Sequence, residues 1–368
     1  MFIRYLHNKG RALGYPASTT FEITPRCNFS CKMCYIHNGD CNKCANEELS
    51  AEQWIEIGKQ ARDSGVILAL ITGGEPLIRK DFPYIYSSLK ALGLLISINT
   101  NGSLITDEIL ELFKNNPPTR INVSLYGASE ETYTNMCGTE SFNKVLSNIK
   151  KLKEAGLQVK INMSITPYNC GDMPEMINTV KDLGLHYKAT TYMYPQSRQQ
   201  NFSVGINPGR FTAEEGGYYR ALHDYLNLGR EEFLRRADSI EKLSFEDDED
   251  CGTDGNDGEG MRCRAGTSSC WINWKGEMGA CGMFTDGYYS ITEHGFDYCW
   301  QKVREYVADI RLPAKCTNCT YRNFCPVCAA VCKSETGRFD SISDYVCEFS
   351  KSSKRNIQKL AKETKDED

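Results

Sequence analysis

The sequence predicts an α/β protein in which a partial barrel of six βα units is followed by a small cysteine-rich domain. The chain has 368 residues, which is enough for two domains of about 150 residues each. From about residue 19 to residue 194, short β-rich runs alternate with amphipathic segments of helical length. The 18 cysteines lie mostly in two groups, five between Cys27 and Cys44 and eleven between Cys251 and Cys347.

The alternation predicts specific elements. The predicted strands are 20–24, 66–72, 94–100, 120–125, 158–165 and 186–192, and the helices between them are 50–64, 82–92, 107–114, 142–155 and 173–183. Ser50 stands three residues before Gln53, which is the spacing of a capping box. Gly65 and Gly184 each follow a predicted helix, where a left-handed C-terminal residue favours glycine.

Short connections between alternating strands and helices predict a parallel sheet with right-handed crossovers. Eight units would close a full barrel, so six predict a partial, TIM-like one. The predicted organisation is a barrel over 15–240, an acidic glycine-rich connection over 241–262, a cysteine-rich domain over 263–350 and a charged helix or tail over 351–368. One or two further helices are expected within 211–243.

Composition excludes several classes of function. A net charge of -5 and a pI near 5.7 argue against nucleic acid as the main partner. The sequence has no run approaching the ~20 apolar residues that cross a bilayer, and its first residues do not resemble a signal peptide. We therefore expect a cytoplasmic protein without a membrane partner. In a reducing compartment, cysteines are more often metal ligands or catalytic groups than disulfides.

Cys27, Cys31 and Cys34 form a C-x3-C-x2-C run directly after the first predicted strand. Three thiolates can hold three irons of a cubane iron–sulfur cluster and leave the fourth iron open, whereas structural zinc normally takes four closed ligands. One strand later comes Thr72-Gly-Gly-Glu-Pro76. In this order, the two motifs resemble those of the radical S-adenosylmethionine (SAM) enzymes.

The resemblance implies a [4Fe-4S] cluster on the three cysteines, with SAM at the open iron. It assigns Gly73, Gly74 and Glu75 to the amino group of SAM, because glycines permit close approach and a carboxylate accepts from an ammonium. The other implied cofactor contacts are Tyr35 on adenine, Thr100 and Ser124 on ribose and carboxylate, and Lys160 and Asn162 as weaker candidates. Many relatives have an Arg-Gly pair where this chain has Cys137-Gly138.

The C-terminal cysteines resemble those of the SPASM domain, which carries auxiliary iron–sulfur clusters. Gly276 precedes Cys281 by five residues, as in that domain. The implied metal ligands are Cys263, Cys281, Cys316, Cys319, Cys325, Cys328, Cys332 and Cys347. The first cluster would take Cys263, Cys281 and either Cys328 or Cys332, with Cys270 or Cys251 as a further candidate. The second would take Cys316, Cys319, Cys325 and Cys347. Zinc is the alternative occupant.

Cys41 and Cys44 form an extra C-x2-C, for which structural thiols, a labile metal clip and alternate cluster ligands all stay open. The resemblance implies reductive cleavage of SAM to a 5′-deoxyadenosyl radical, which abstracts hydrogen and oxidatively modifies a peptide or protein side chain by crosslinking, thioether formation or epimerisation. Such chemistry belongs to an oxygen-poor cytoplasm with a flavodoxin or ferredoxin as reductant.

Three alternatives are retained. In a sulfatase maturase, which forms formylglycine, an aspartate follows the cysteine that here is Cys281, but this chain has Gly282. Only 26 residues precede Cys27, fewer than a leader-binding domain needs, so a small-molecule substrate is an alternative. An iron–sulfur electron carrier would not need Gly73, Gly74 and Glu75.

Overall fold

A computed structural model describes residues 2–36, 47–198, 204–242, 260–317, 319–322 and 324–366. Cys41, Cys44 and Cys251 lie outside the described residues, as does most of the acidic connection.

One nine-stranded sheet organises the molecule, in the order β6-β5-β4-β3-β2-β1-β7-β8-β9. The strands are β1 (Ser18–Glu22), β2 (Leu68–Thr72), β3 (Leu95–Thr100), β4 (Arg120–Ser124), β5 (Val159–Ser164), β6 (His186–Thr190), β7 (Ser269–Ile272), β8 (Glu277–Gly279) and β9 (Tyr289–Ser290). Strands β1 to β6 and β7 pair in parallel, whereas β8 and β9 are antiparallel. The six predicted strands and the predicted α/β fold, a partial barrel, are confirmed.

The sequence did not indicate how the C-terminal region joins this sheet. Strand β7 pairs in parallel with β1, with Ser18 opposite Ser269 and Phe21 opposite Ile272. The region that carries the second cysteine group therefore extends the barrel sheet beyond β1. This pairing brings the two cysteine groups to neighbouring positions, because β1 leads into Cys27 and β8 leads into Cys281.

Helices cover the sheet and also form a separate C-terminal layer. They are α1 (Phe2–Leu13), α2 (Ala51–Asp63), α3 (Phe82–Ala91), α4 (Asp107–Asn115), α5 (Glu130–Cys137), α6 (Phe142–Glu154), α7 (Met173–Asp182), α8 (Ala213–Leu228), α9 (Arg230–Lys242), α10 (Ile291–His294), α11 (Phe296–Ala308), α12 (Ala329–Thr336) and α13 (Asp344–Asp366). The five helices predicted between strands are present, as are two within 211–243. Helices α1, α5, α10, α11 and α12 are additional.

Local sequence explains how α2 begins and ends. The Ser50 hydroxyl accepts from the Gln53 amide at 3.3 Å, and the Gln53 side chain accepts from the Ser50 amide at 2.9 Å, so the predicted capping box forms. Gly65 follows with φ +98°, a conformation that favours glycine. The following chain then enters β2 with Ile71 fully buried in the main core.

Helix α13 packs along α8, although its sequence is highly charged. Its buried face includes Phe349 and Ile357. Gly217 on α8 makes the close approach possible, because a Cβ there would lie 2.5 Å from the Ser353 amide nitrogen. Within the described residues, none of the helices is both long and apolar enough to cross a membrane.

Candidate active site

The three-cysteine loop follows β1 and is held against the end of α5. The Ser30 amide donates to the Cys137 carbonyl at 2.9 Å, and the Lys32 amide donates to the Met136 carbonyl at 3.0 Å. These two bonds lie on either side of Cys31. The loop therefore has a backbone partner that fixes how Cys31 is presented.

The Gly-Gly-Glu segment packs directly on the backbone that leads into the cysteine loop. The Gly74 amide donates to the Thr24 carbonyl and the Glu75 amide to the Arg26 carbonyl, both at 2.8 Å. A Cβ on Gly73 would lie 2.5 Å from the Thr24 oxygen, and one on Gly74 would lie 2.3 Å from the Arg26 oxygen. In this structure the two glycines serve the contact between the loops, since any side chain there would separate them.

Glu75 is buried at the centre of this contact. Its carboxylate accepts from the Thr100 hydroxyl at 2.8 Å, from the Asn101 amide at 2.6 Å and from the Leu77 amide at 3.1 Å. Burial raises the pKa of the Glu75 carboxyl to about 7, and these hydrogen bonds offset part of that rise. The group therefore changes its charge near neutral pH. When ionised, it is suited to accept from an ammonium group.

The sheet register places polar residues side by side on the face that points into the barrel. Asn99 lies opposite Asn122, which in turn lies opposite Lys160. Ser124 lies opposite Asn162 in the same way. The Asn122 side-chain amide donates to the Asn99 carbonyl oxygen at 2.8 Å. Three candidates from the sequence, Ser124, Lys160 and Asn162, are thus neighbours on two adjacent strands.

Thr100, another candidate, ends β3 beside Glu75. The remaining candidate, Tyr35, comes just after the third cysteine. Burial raises its pKa, and the Cys34 and Cys281 thiols are both near enough to act on it electrostatically. Tyr194 lies in the same region, with its hydroxyl 3.9 Å from the Cys328 sulfur.

The C-terminal cysteines form two neighbourhoods. Cys281 has Cys263 and Cys328 as neighbouring thiols. Cys316 has Cys325, Cys347 and Cys319 as neighbouring thiols. Cys332 is buried and has thiols of both sets as neighbours, among them Cys328 and Cys316.

Cys270, a candidate ligand from the sequence, lies elsewhere. On β7 it donates to the Thr19 hydroxyl at 3.3 Å and has Cys299 as its neighbouring thiol, so it does not join the Cys281 set.

A buried ion pair in the barrel was not predicted from the sequence. Arg198 donates from its two terminal nitrogens to the two carboxylate oxygens of Glu22 at 2.9 and 2.8 Å. The Trp271 indole donates to the same carboxylate at 2.7 Å, and Arg198 also donates to the Gly282 carbonyl at 3.2 Å. The bonded partners lie 84 to 249 positions apart in the chain, so no local pattern could associate them.

Gly282 has a packing reason to be glycine. A Cβ at this position would lie 2.5 Å from the Trp271 ring. An aspartate at this position, as in the sulfatase maturases, would therefore displace Trp271 from its place beside Glu22.

Two further observations concern converging ligands and surface cavities. Within the described parts of the chain, no three Cys, His, Asp or Glu side chains converge on one point as ligands of a single ion would. A surface cavity of about 500 Å³ is lined by α1 and the end of α2 and has no cysteine in its lining. Another cavity, of about 430 Å³, lies beside Ser103 and Lys144.

Comparison with known proteins identifies most of the barrel, from β1 to α7. Residues 21–180 match the family model described as the radical SAM superfamily. Over 342 residues the chain is 25% identical to a Methanosarcina barkeri protein named AdoMet-dependent heme synthase, covering 88% of this chain and 94% of the relative. It is 31% identical over 206 residues to a probable GTP 3′,8-cyclase of Saccharolobus islandicus, covering 55% of this chain and 62% of that relative.

Solved structures share the fold over almost the whole chain. Streptococcus suis SuiB superposes with a TM-score of 0.67 at 18% identity, covering 94% of this chain and 80% of SuiB. The anSMEcpe structure with bound AdoMet and Kp18Cys peptide gives a TM-score of 0.66 at 15% identity, covering 95% and 99%. At these identities the likeness concerns the fold.

Proposed function

We propose that this chain, whose residues 21–180 match the radical SAM superfamily, cleaves SAM reductively to a 5′-deoxyadenosyl radical and oxidises a peptide or protein side chain by hydrogen abstraction. The observation that carries the proposal is the pair of backbone bonds that joins Gly74 and Glu75 to the segment between β1 and Cys27. It brings a buried carboxylate next to a loop with three thiols. This combination suits a ligand that carries an ammonium group and also binds iron.

The donor atoms of these residues are of the chemical types that suit the implied groups. Cys27, Cys31 and Cys34 would hold a [4Fe-4S] cluster with an open iron for SAM. The cluster and SAM would together supply one-electron chemistry. Glu75 would accept from the SAM ammonium, and Thr100 orients that carboxylate through its 2.8 Å hydrogen bond. Tyr35 would lie against adenine. Ser124, Lys160 and Asn162 would contact the remainder of SAM from the barrel face.

Two auxiliary clusters belong to the same proposal. Cys263, Cys281 and Cys328 would serve one, and Cys316, Cys319, Cys325 and Cys347 the other. The grouping of thiols around Cys281 and around Cys316 supports this division. The sequence left this ligand open between Cys328 and Cys332, and the electrostatic interaction of Cys281 with Cys328 favours Cys328.

A peptide substrate is supported by the full-length fold likeness to SuiB and anSMEcpe, which have been solved with a precursor peptide and with the Kp18Cys peptide. The substrate would lie between Cys34 and Cys281, where Tyr35 and Tyr194 supply an aromatic lining. The barrel would hold the substrate hydrogen close to the radical and exclude water. A flavodoxin or ferredoxin would supply electrons.

The test is anaerobic reconstitution followed by iron, sulfide and 5′-deoxyadenosine assays, with SAM and dithionite. We expect about twelve irons for three four-iron clusters, and 5′-deoxyadenosine from the wild type only. The matched variant is Cys27→Ala/Cys31→Ala/Cys34→Ala, which should keep about eight irons and make no 5′-deoxyadenosine. A fully loaded wild type that makes none would refute the proposal and favour an electron carrier.

A small-molecule substrate is the second candidate. The match to the heme synthase covers nearly the whole of both chains, whereas the probable GTP cyclase matches over little more than half of this chain. A heme precursor is therefore the small molecule to assay first. Deuterium transfer from a labelled peptide or from a labelled heme precursor into 5′-deoxyadenosine would decide between the two candidates.

A further inference from the structure

Cys137 is a buried thiol that the proposed SAM chemistry does not use. It ends α5 and is fully buried. Its side chain lies next to the side chain of Cys31, the middle cysteine of the loop, whose flanking amides bond to the end of α5. It therefore touches a proposed cluster ligand without belonging to the three-cysteine motif.

The backbone holds this contact from both sides. The amides of Ser30 and Lys32, which flank Cys31, donate to the carbonyls of Cys137 and Met136. Gly138 follows in the left-handed conformation, and a Cβ placed on it would lie 3.4 Å from the Ser30 Cβ. The position of the Cys137 thiol is thus set by the same bonds that set the loop.

The chemistry of the pair fixes which sulfur donates. A cysteine sulfur bound to iron carries no proton, so only the Cys137 S–H can donate when a cluster is present. Hydrogen bonds to ligand sulfurs are among the features that set the reduction potential of an iron–sulfur cluster. A donor stabilises the extra negative charge of the reduced cluster and so makes reduction easier.

We propose that Cys137 is a positioning residue that donates an S–H hydrogen bond to the Cys31 sulfur and raises the reduction potential of the cluster on Cys27, Cys31 and Cys34. The inference rests on the proposed function, because it requires that cluster.

The experiment compares reconstituted full-length wild type with Cys137→Ala and Cys137→Ser. Each sample is poised at the potential where half of the wild-type cluster is reduced. The cluster is identified by the part of its electron paramagnetic resonance signal that shifts when SAM is added. In Cys137→Ala we expect the ratio of reduced to oxidised cluster to fall by up to about tenfold, which corresponds to 59 mV for a one-electron couple. Cys137→Ser keeps a donor and should stay closer to the wild type.

Cys299→Ala is the matched control, since Cys299 is also a fully buried thiol within a helix but neighbours Cys270 instead of the loop. It should leave the ratio unchanged. An unchanged ratio in a fully loaded Cys137→Ala protein would overturn the inference. Loss of about four irons in both Cys137 variants would also overturn it, because it would make Cys137 a ligand. If the wild type gave no SAM-dependent signal and no 5′-deoxyadenosine, the proposed function itself would fail.

Discussion

Arg198 and Glu22 form a two-pronged ion pair inside the barrel, at 2.8 and 2.9 Å, with the Trp271 indole as a third donor to the same carboxylate. Glu22 ends β1 and Arg198 follows β6, so the pair links the first and last strands of the parallel barrel segment. Both side chains are almost completely buried. The pair therefore fixes the loop after β6 over the interior.

Removing one partner should destabilise the fold. Arg198→Met leaves the Glu22 carboxylate buried without its cation, which typically costs about 3 kcal/mol or more in free energy of unfolding. The double variant Arg198→Met/Glu22→Gln should recover much of that loss. Urea unfolding of the anaerobic protein without clusters measures both. Equal losses in the single and double variants would show that charge pairing is not the cause.

SAM affinity should depend on the charge of Glu75. Its pKa of about 7 lies above the ordinary value of 4.5, so folding favours its protonated form. The stability that this group contributes is therefore greatest below pH 4.5 and is lost as the pH rises through 7. The affinity for SAM should change with pH in the opposite direction, because the SAM ammonium binds the ionised carboxylate more strongly than the neutral acid. We expect the Kd for SAM to fall between pH 6 and pH 8, as measured by isothermal titration of the reconstituted enzyme.

Glu75→Gln is the control for this pH profile. It keeps acceptor capacity but cannot ionise, so SAM should bind more weakly and the change between pH 6 and pH 8 should flatten. A Gln variant with the wild-type profile would assign the titration to another group.

Introducing the maturase aspartate at Gly282 should lower the stability of the fold. In Gly282→Asp the new Cβ meets the Trp271 ring at 2.5 Å, and overpacking of this kind costs about 1–3 kcal/mol. Thermal unfolding followed by circular dichroism should show a lower Tm. Gly171→Asp is the matched comparison, because a Cβ there meets nothing within 4 Å and its φ is not positive. A stable Gly282→Asp protein that formed formylglycine would instead support the maturase alternative.

Iron counts of cysteine variants should distinguish the C-terminal cysteines that bind a cluster from those that do not. Cys328→Ala should lose about four irons, since Cys328 neighbours Cys281. Cys270→Ala should retain them all, because Cys270 lies with Thr19 and Cys299. Iron and sulfide analysis after reconstitution provides the measurement. Loss of iron from Cys270→Ala alone would reverse the assignment.

The sequence alone determined the parts of this protein that depend on local pattern. Strand and helix periods predicted β1 to β6 and the helices between them, because each element buries one face and leaves the other accessible. The capping box at Ser50 and the glycine after α2 could also be identified, because each depends on residues only a few positions apart. The spacing of Cys27, Cys31 and Cys34 resembled that of radical SAM enzymes, and the sequence could show this because all three cysteines lie on one short loop.

Only the tertiary structure decided what depends on contacts between distant segments. The pairing of β7 with β1, the ion pair of Glu22 with Arg198 and the contact of Cys31 with Cys137 each join segments that no short pattern relates. The same holds for separating Cys270 from the Cys281 set. A cysteine's neighbours are set by which strands and helices pack together, and that packing is a property of the whole core.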